Sequence, residues 1–362
     1  MPRERAIRAA GRNPIPRGSG LASAGRLGFI PGAPDMQQYF RITGTGGYLP
    51  HQVITAAELD ARLGLEPGWT LRHTGVATRH QRAPGETATD MARHAALAAI
   101  AAAGLTLRDI DAIVDASTCQ QQPIPSNAAL LHEALGPEVR GAAALDVHAT
   151  CLSFVVALAT ANGWFASGLY RHVLIVSSET PLDGVNWFDP ASACLMGEGA
   201  AAAVLTRVSA PVGECNYGYE TFGEHAHVCE VAGGGHRLPA FAFNAENAAR
   251  YRFFMDGPKL HKIASRHLPP LVARILAEAR VDLAALHVIP HQASGPAVEL
   301  LARRLGIARE QLHVGLAEHG NLVAAGIPYA LHTARGQIPA GSRVLMVGTA
   351  AGYSQAAFVF TL

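Results

Sequence analysis

Three short stretches hold residues suited to chemistry at a carbonyl. Cys151, in "DVHATCLSF", stands where an apolar strand hands over to a helix. A thiol there is a good nucleophile. The unpaired N–H groups and positive dipole end of a helix N-terminus favour thiolate and can bind an oxyanion. Cysteine is also among the most buried residue types, so this stretch alone fits inert filler as well. His291, in "VIPHQAS", lies between a short apolar strand and a helix, the edge where α/β sheets expose working groups. Asn321, in "EHGNLVAAGIP", follows a glycine before an alanine-rich helix, where it is equally a turn former or N-cap. A helix and a strand fit between His291 and Asn321, so their two strand ends can lie side by side. A fourth stretch, "EHAHVCEV", alternates His225, His227 and Cys229 as a metal site would, but one face of a strand has the same spacing. No metal is expected.

The elements that must carry these residues alternate. "FRITGTGGYLP", "DIDAIVDAST", "GAAALDVHAT", "HVLIVSSE" and "GAAAAVLTR" read as strands. "TDMARHAALAAIAAAGL" and "CLSFVVALATANGWFASG" read as helices closed by glycine. After a less regular stretch from about 212 to 251, the alternation returns. Helix "PKLHKIASRHLPPLVARILAEA", strand "LHVIPHQ", helix "GPAVELLARRLG", short strand "QLHVGL", helix "AAGIPYALHTAR" and the hairpin-like "RVLMVGTAAGYSQAAFVF" follow. This order predicts an α/β fold with a largely parallel sheet.

Composition narrows the function classes. The chain has 362 residues, 49% of them hydrophobic and 16% charged, with a net charge of +1. That describes a globular protein with a sizeable core, and it argues against nucleic acid or a membrane surface as principal partner. The five cysteines (Cys119, Cys151, Cys194, Cys215, Cys229) are odd in number and lack a CxxC pair, as expected of a protein in the reducing cytoplasm. No apolar run is long enough for a membrane span. Residues 1–35 are rich in Arg, Gly and Pro and read as a disordered arm or an upstream extension, with Met36 the alternative start.

The cysteine before a helix, then "PHQA", then "HGN", in this order and at these separations, resembles the ketoacyl synthase III family of the thiolase superfamily. The resemblance runs from about Tyr39 to the C-terminus through "GTGGYLP", "RHTGVATRH", "LLHEALG", "GEGAAAAVL", "MDGPKLHKIA" and "GTAAGYS". It implies a five-layered αβαβα fold of two similar halves, divided here as 36–210 and 211–362, and a homodimer. It also implies that Cys151 accepts an acyl group from an acyl-CoA or acyl carrier protein thioester. The backbone N–H groups of Cys151 and Ala351 would form the oxyanion hole. His291 and Asn321 would hold the enolate formed when a malonyl thioester loses carbon dioxide. No cofactor beyond the substrates' own phosphopantetheine arm is implied.

Several positions depart from the family's fatty-acid initiation enzyme. Ser294 stands where Asn is common after "PHQA", and Pro296 occupies an early carrier-docking position, although Arg303 and Arg304 keep a basic pair. Trp69 matches the CoA-adenine clamp, but His73, with Arg72 beside it, replaces the usual arginine. Ile124 replaces a bulky aromatic in the loop that bounds the neighbouring subunit's acyl pocket. Glu198 replaces Asp in "GEG", and Ala350 and Ala351 replace glycines. These departures point to carrier-bound donors and a specialised lipid or polyketide-type pathway. Head-to-head condensation of two acyl thioesters and acyl transfer to a hydroxyl or amine are the alternative reactions, and a non-catalytic partner subunit is the alternative of another class.

Overall fold

The computed structural model describes residues 36–362; the expectation for residues 1–35 lies outside the described residues. One sheet is drawn from β1 (Phe40–Tyr48), β2 (Ala112–Asp115), β3 (Ala143–Asp146), β4 (His172–Glu179) and β5 (Gly199–Arg207), in the order β1-β5-β4-β2-β3. The other comprises β6 (Asn216–Thr221), β7 (His287–Pro290), β8 (Arg343–Ala350) and β9 (Ser354–Thr361), in the order β7-β8-β9-β6. The helices that matter are α1 (Ala56–Leu63), α2 (Trp69–Thr74), α3 (Ala88–Ala102), α4 (Asn127–Leu135), α5 (Ser153–Ala166), α6 (Gly257–Glu278), α7 (Gly295–Leu305) and α8 (Gly326–Ala334).

Strand alternation sorts the core into layers, because successive side chains point to opposite faces. In β4, Val173 and Ile175 face inward onto α5 and α8, together with Val344 and Met346 of β8 and Phe358 and Phe360 of β9. The intervening Leu174 and Val176 face outward onto α3 and α4. Leu345 and Val347 of β8, with Ala357 and Val359 of β9, face outward onto α6 and α7. The layers are therefore helices, sheet, the α5–α8 pair, sheet, helices: five in all. Strands buried on both faces explain the continuous apolar runs in the sequence.

The alanine-rich α3 is amphipathic, with Met91, Ala92, Ala95, Ala96, Ala99 and Ile100 buried along one face. Its backbone lies directly on β1. A Cβ at Gly44 or Gly46 would overlap the carbonyls of Ala99 and Ala95, which is why "GTGG" meets an alanine helix.

Three expectations need correction. The sheets are mixed: β2 pairs in parallel with β3 and β4, and β7 with β8, but β1, β5, β6 and β9 run antiparallel to their neighbours. β8 and β9 are joined by a tight turn, and so short a link permits only antiparallel pairing. The irregular stretch after 212 contains β6, the edge of the second sheet. "QLHVGL" is not a strand, because only Leu312 bridges Val288 before the chain turns into the helical residues Leu316–His319.

Candidate active site

Cys151 sits on a tight elbow between β3 and α5. Thr150 adopts φ 49, the left-handed region that L-residues rarely enter, and Ala149 bridges to Cys151. Ser153 braces the turn: its Oγ accepts from the Ala149 N–H at 2.9 Å and donates to the Thr150 carbonyl at 2.7 Å. The Thr150 side chain touches the Ala351 carbonyl only weakly, at 3.5 Å, and His148 is exposed.

Two backbone N–H groups, from Cys151 itself and from Ala351, face the Cys151 sulfur and favour its thiolate. The electrostatics differ from the sequence expectation. Burial pushes the Cys151 thiol well above the ordinary range, Cys229 and Glu179 add to that push, and the two N–H groups offset only part of it. The helix N-terminus does not win against desolvation.

His291 follows β7, where its N–H continues the parallel ladder to the Val347 carbonyl at 2.8 Å. The ring is 8% exposed, and burial pushes its pKa down to about 4, so the imidazole is neutral near pH 7. Its Nδ1 has no hydrogen-bond partner among the described residues.

Asn321 is pinned by backbone bonds to the segment 195–197: its N–H to the Leu195 carbonyl at 2.9 Å, and its carbonyl from the Gly197 N–H at 3.0 Å. That explains the glycines of "GEG", since a Cβ at Gly197 would overlap the His319 carbonyl. The Asn321 Oδ1 accepts from the Val323 N–H at 2.8 Å, and Nδ2 donates one proton to the Ala293 carbonyl at 3.2 Å. This orients the amide beside the His291–Ala293 segment and leaves its second proton available.

Gly348 packs between His291 and Leu152, the residue after Cys151. Cys151, Trp187 and Phe253 pack on a small cluster of Leu182, Val185, Met196 and Val323. Val323 itself sits at φ 50, an outlier for a β-branched residue that costs roughly 1–3 kcal/mol. The structure thus brings Cys151, Ala351, His291 and Asn321 together.

A cavity of about 590 Å³ leads toward this site. Trp69, His73 and Arg304 line its rim, Leu260, Leu300 and Leu301 line its body between α6 and α7, and His291, Gly348 and Thr349 lie at its inner end. Trp69 stacks on His73, with centroids 4.3 Å apart and planes 17° apart, and His73 Nδ1 lies 2.9 Å from the Trp69 carbonyl. Ser294, also in the lining, N-caps α7 by accepting from the Ala297 N–H at 3.2 Å, with Pro296 in the first turn.

Other expected residues fall outside this space. The Arg72 guanidinium bonds the Pro67 carbonyl of its own turn at 3.1 Å and does not line the cavity. Arg303 is exposed beside Glu299, and Ile124 is 85% exposed on the loop after β2. Glu198 is buried and accepts from Arg82. "EHAHVCEV" is not one strand face: residues Gly223–Val228 form 3₁₀ turns, and only Cys229–Glu230 pair, with Phe254–Met255. His227 contacts Glu230 at 2.7 Å, and among the described residues no three metal-binding side chains gather.

Sequence reasoning missed two buried polar residues behind the site. Gln292 accepts from the Gly315 N–H at 2.9 Å and reaches the Gly326 carbonyl at 3.4 Å, tying the segments that flank Asn321. Its place next to His291 in "PHQ" was the available signal. Glu179 ends β4 and is wholly buried; a charged residue closing an apolar strand was its signal.

Comparison with known proteins gives one consistent result. Residues 145–218 match the model of 3-oxoacyl-[acyl-carrier-protein (ACP)] synthase III, and residues 276–362 match that of its C-terminal part. A beta-ketoacyl-[acyl-carrier-protein] synthase III of Neisseria meningitidis is 32% identical over 320 residues, covering 88% of this chain and 97% of the relative. The crystal structure of 3-oxoacyl-[acyl-carrier-protein] synthase III from Aquifex aeolicus superimposes with a TM-score of 0.80 at 29% identity, covering 89% of this chain and all of that one. The priming beta-ketosynthase of the R1128 polyketide biosynthetic pathway does so with 0.80 at 27% identity, covering 93% and 99%.

Proposed function

The chain belongs to the 3-oxoacyl-[acyl-carrier-protein] synthase III family of condensing enzymes, and from that premise we propose the roles of its site residues and its reaction. Cys151 is the acyl-carrying nucleophile. Its sulfur attacks the donor thioester carbonyl and gives up its proton. The N–H groups of Cys151 and Ala351 hold the tetrahedral oxyanion, and the donor's thiol leaves with a proton. A malonyl thioester then places its thioester carbonyl oxygen against His291 and the free Asn321 amide proton. Loss of carbon dioxide leaves an enolate on that oxygen, and its α-carbon attacks the acyl-Cys151 carbonyl. The C–S bond breaks, Cys151 leaves as thiolate and takes a proton from water, and a 3-oxoacyl thioester is released. Neutral donors suit this step, because a charged imidazolium would protonate the carbanion.

The observation that carries this reading is the convergence of four residues: the Cys151 sulfur facing the N–H groups of Cys151 and Ala351, with the His291 imidazole and the oriented Asn321 amide beside it. The cavity supports delivery of the thioester on a long arm from the rim at Arg304 to His291. Arg303 and Arg304, together with exposed Lys259 and Lys262 on α6, favour an acidic carrier protein as the donor of that arm. The Trp69 face covered by His73 supports carrier-bound donors over CoA. The departures at Ser294, Pro296 and His73 support a specialised lipid or polyketide-type pathway. We further infer a homodimer, in which the exposed loop around Ile124 meets the neighbouring subunit, and a cytoplasmic enzyme needing no metal. No helix among the described residues is long and apolar enough to cross a membrane.

The test is an acyl-donor panel, on CoA and on carrier protein, read by intact mass. An acyl adduct on Cys151, discharged by malonyl-carrier protein to a 3-oxoacyl product, is the expected result. Folded protein that takes no adduct from any donor overturns the catalytic reading and favours a scaffold subunit.

A further inference from the structure

Glu179 has no part in the reaction described above, yet it is wholly buried next to the site. Its Oε1 accepts from the Thr118 N–H at 2.6 Å and its Oε2 from the Cys119 N–H at 3.0 Å. The Ala324 N–H and the Cys119 thiol also face it and favour its charged form. Thr118 and Cys119 begin the loop that runs to Ile124, and Ala324 follows Asn321 by three residues. One carboxylate therefore joins the two segments that flank the reacting groups. No Lys, Arg or His pairs with it among the described residues. A buried carboxylate without a cation is a costly way to hold loops that apolar packing could hold, so its presence here points to function.

We propose that Glu179 is a positioning residue for condensation, fixing the loop at Thr118–Cys119 and the turn at Ala324 relative to each other so that acyl-Cys151 and the Asn321 amide meet the two substrates in register. Its negative charge also acts on Cys151, opposing loss of the thiol proton. The carboxyl itself is pushed up to about 7 by burial, against the pull of its N–H donors, and the titratable groups facing it are the Cys119 and Cys151 thiols. At pH 8.5 it carries its charge.

Two variants separate the two effects. Glu179→Gln keeps the length but removes the charge and turns an NH₂ toward one of the N–H donors. Glu179→Asp keeps the charge but is too short to span both segments. In Glu179→Gln, condensation from preloaded acyl-enzyme falls at least about tenfold, the loss of one charge-assisted hydrogen bond. Meanwhile Cys151 is alkylated by iodoacetamide at pH 8.5 about threefold faster, because the opposing charge is gone. In Glu179→Asp, condensation falls while alkylation stays near the wild-type rate. A loss of packing alone would not make the thiol more reactive to iodoacetamide in Gln and leave it unchanged in Asp.

Wild-type condensation in Glu179→Gln, or Cys151 alkylation there no faster than wild type, overturns the proposal. If the Gln variant fails to fold, deuterium exchange on the wild-type enzyme decides. Peptides containing Thr118–Cys119 and Ala324 are expected to be protected and to open together, and rapid or independent opening overturns the clamp. The proposal rests on the roles of Cys151 and Asn321. Failure of the wild type to load an acyl group would sink those roles, whereas the exchange experiment judges Glu179 separately.

Discussion

Replacing Gly348 with alanine should separate the two half-reactions. Gly348 lies in β8 opposite Ala356, and its backbone is in a conformation open to any residue, so the added methyl acts by volume alone. Its Cβ would stand 2.5 Å from the His291 Cβ, and 3.4 Å from both the His291 N and Leu152 Cδ2. Ordinary van der Waals separation requires the His291 side chain to retreat by about 1 Å. Leu152 is fully buried and gives no room, and rotating the imidazole leaves its Cβ in place. The backbone at His291, held to Val347 at 2.8 Å, must therefore shift and carry the ring with it.

A displacement of that size at a positioned donor costs roughly 10²-fold in rate, and overpacking costs about 1–3 kcal/mol in stability. The assay preloads Cys151 with a labelled acyl group, removes free donor, and follows 3-oxoacyl product after addition of malonyl-carrier protein. Loading should change far less than condensation. Gly163→Ala is the control, because nothing lies within 4 Å of a Cβ there and the helix should gain about 0.5–1 kcal/mol. A folded Gly348→Ala enzyme that condenses within twofold of wild type refutes the placement of His291 against the acceptor.

Cys151→Ala should take no acyl adduct from any donor by intact mass; a persisting adduct assigns the nucleophile elsewhere. Asn321→Ala should load normally but decarboxylate the malonyl thioester about 10²-fold more slowly, and unimpaired release of labelled carbon dioxide contradicts its role. Arg304→Glu, at the cavity rim, should raise KM for an acyl-carrier donor and reduce its salt dependence while kcat holds; equal KM with both enzymes removes Arg304 from docking. His291 and His319 are both pushed down to about 4 by burial, so between pH 6.5 and 4 the unfolded chain binds protons that the folded chain refuses. Stability should therefore fall as pH drops through that window, by on the order of 3 kcal/mol per histidine. A urea midpoint equal at pH 7 and pH 4.5 would refute this.

The parts of the fold legible in the sequence are those set by local physics. "HVLIVSSE" is β4 to the residue, because its short apolar core "VLIV", too short for a helix and rich in β-branched residues, buries both faces as a strand. "GPAVELLARRLG" is α7 with its cap, because Ser294, Pro296 and Gly306 mark its ends. What local pattern could not supply was set by distant partners. β6 is a strand because β9 offers it an edge, and nothing in "NYGYET" itself separates it from the irregular residues around it. Arg72 reads as a clamp residue only until its short turn directs it back to Pro67. The helix end alone would lower the Cys151 thiol; burial against the apolar cluster reverses this, with Cys229 and Glu179 adding to it, and these groups lie far along the chain.

That reversal bears on how the site works. With Cys151 held as a thiol and His291 neutral, the groups proposed to meet the substrate carry no charge at rest. In the proposed reaction, charge arises only as it proceeds, first on the donor's carbonyl oxygen and then on the acceptor's enolate oxygen. Two pairs of neutral donors are proposed for those places: the N–H groups of Cys151 and Ala351, and His291 with the Asn321 amide. Donors fixed before the charge appears need no reorganisation when it does, and they act where water is excluded. A permanently ionised thiolate beside an imidazolium would bind the ground state more tightly and would favour protonation of the enolate carbon. Desolvation that looks unfavourable for the nucleophile therefore serves the carbon–carbon bond-forming step.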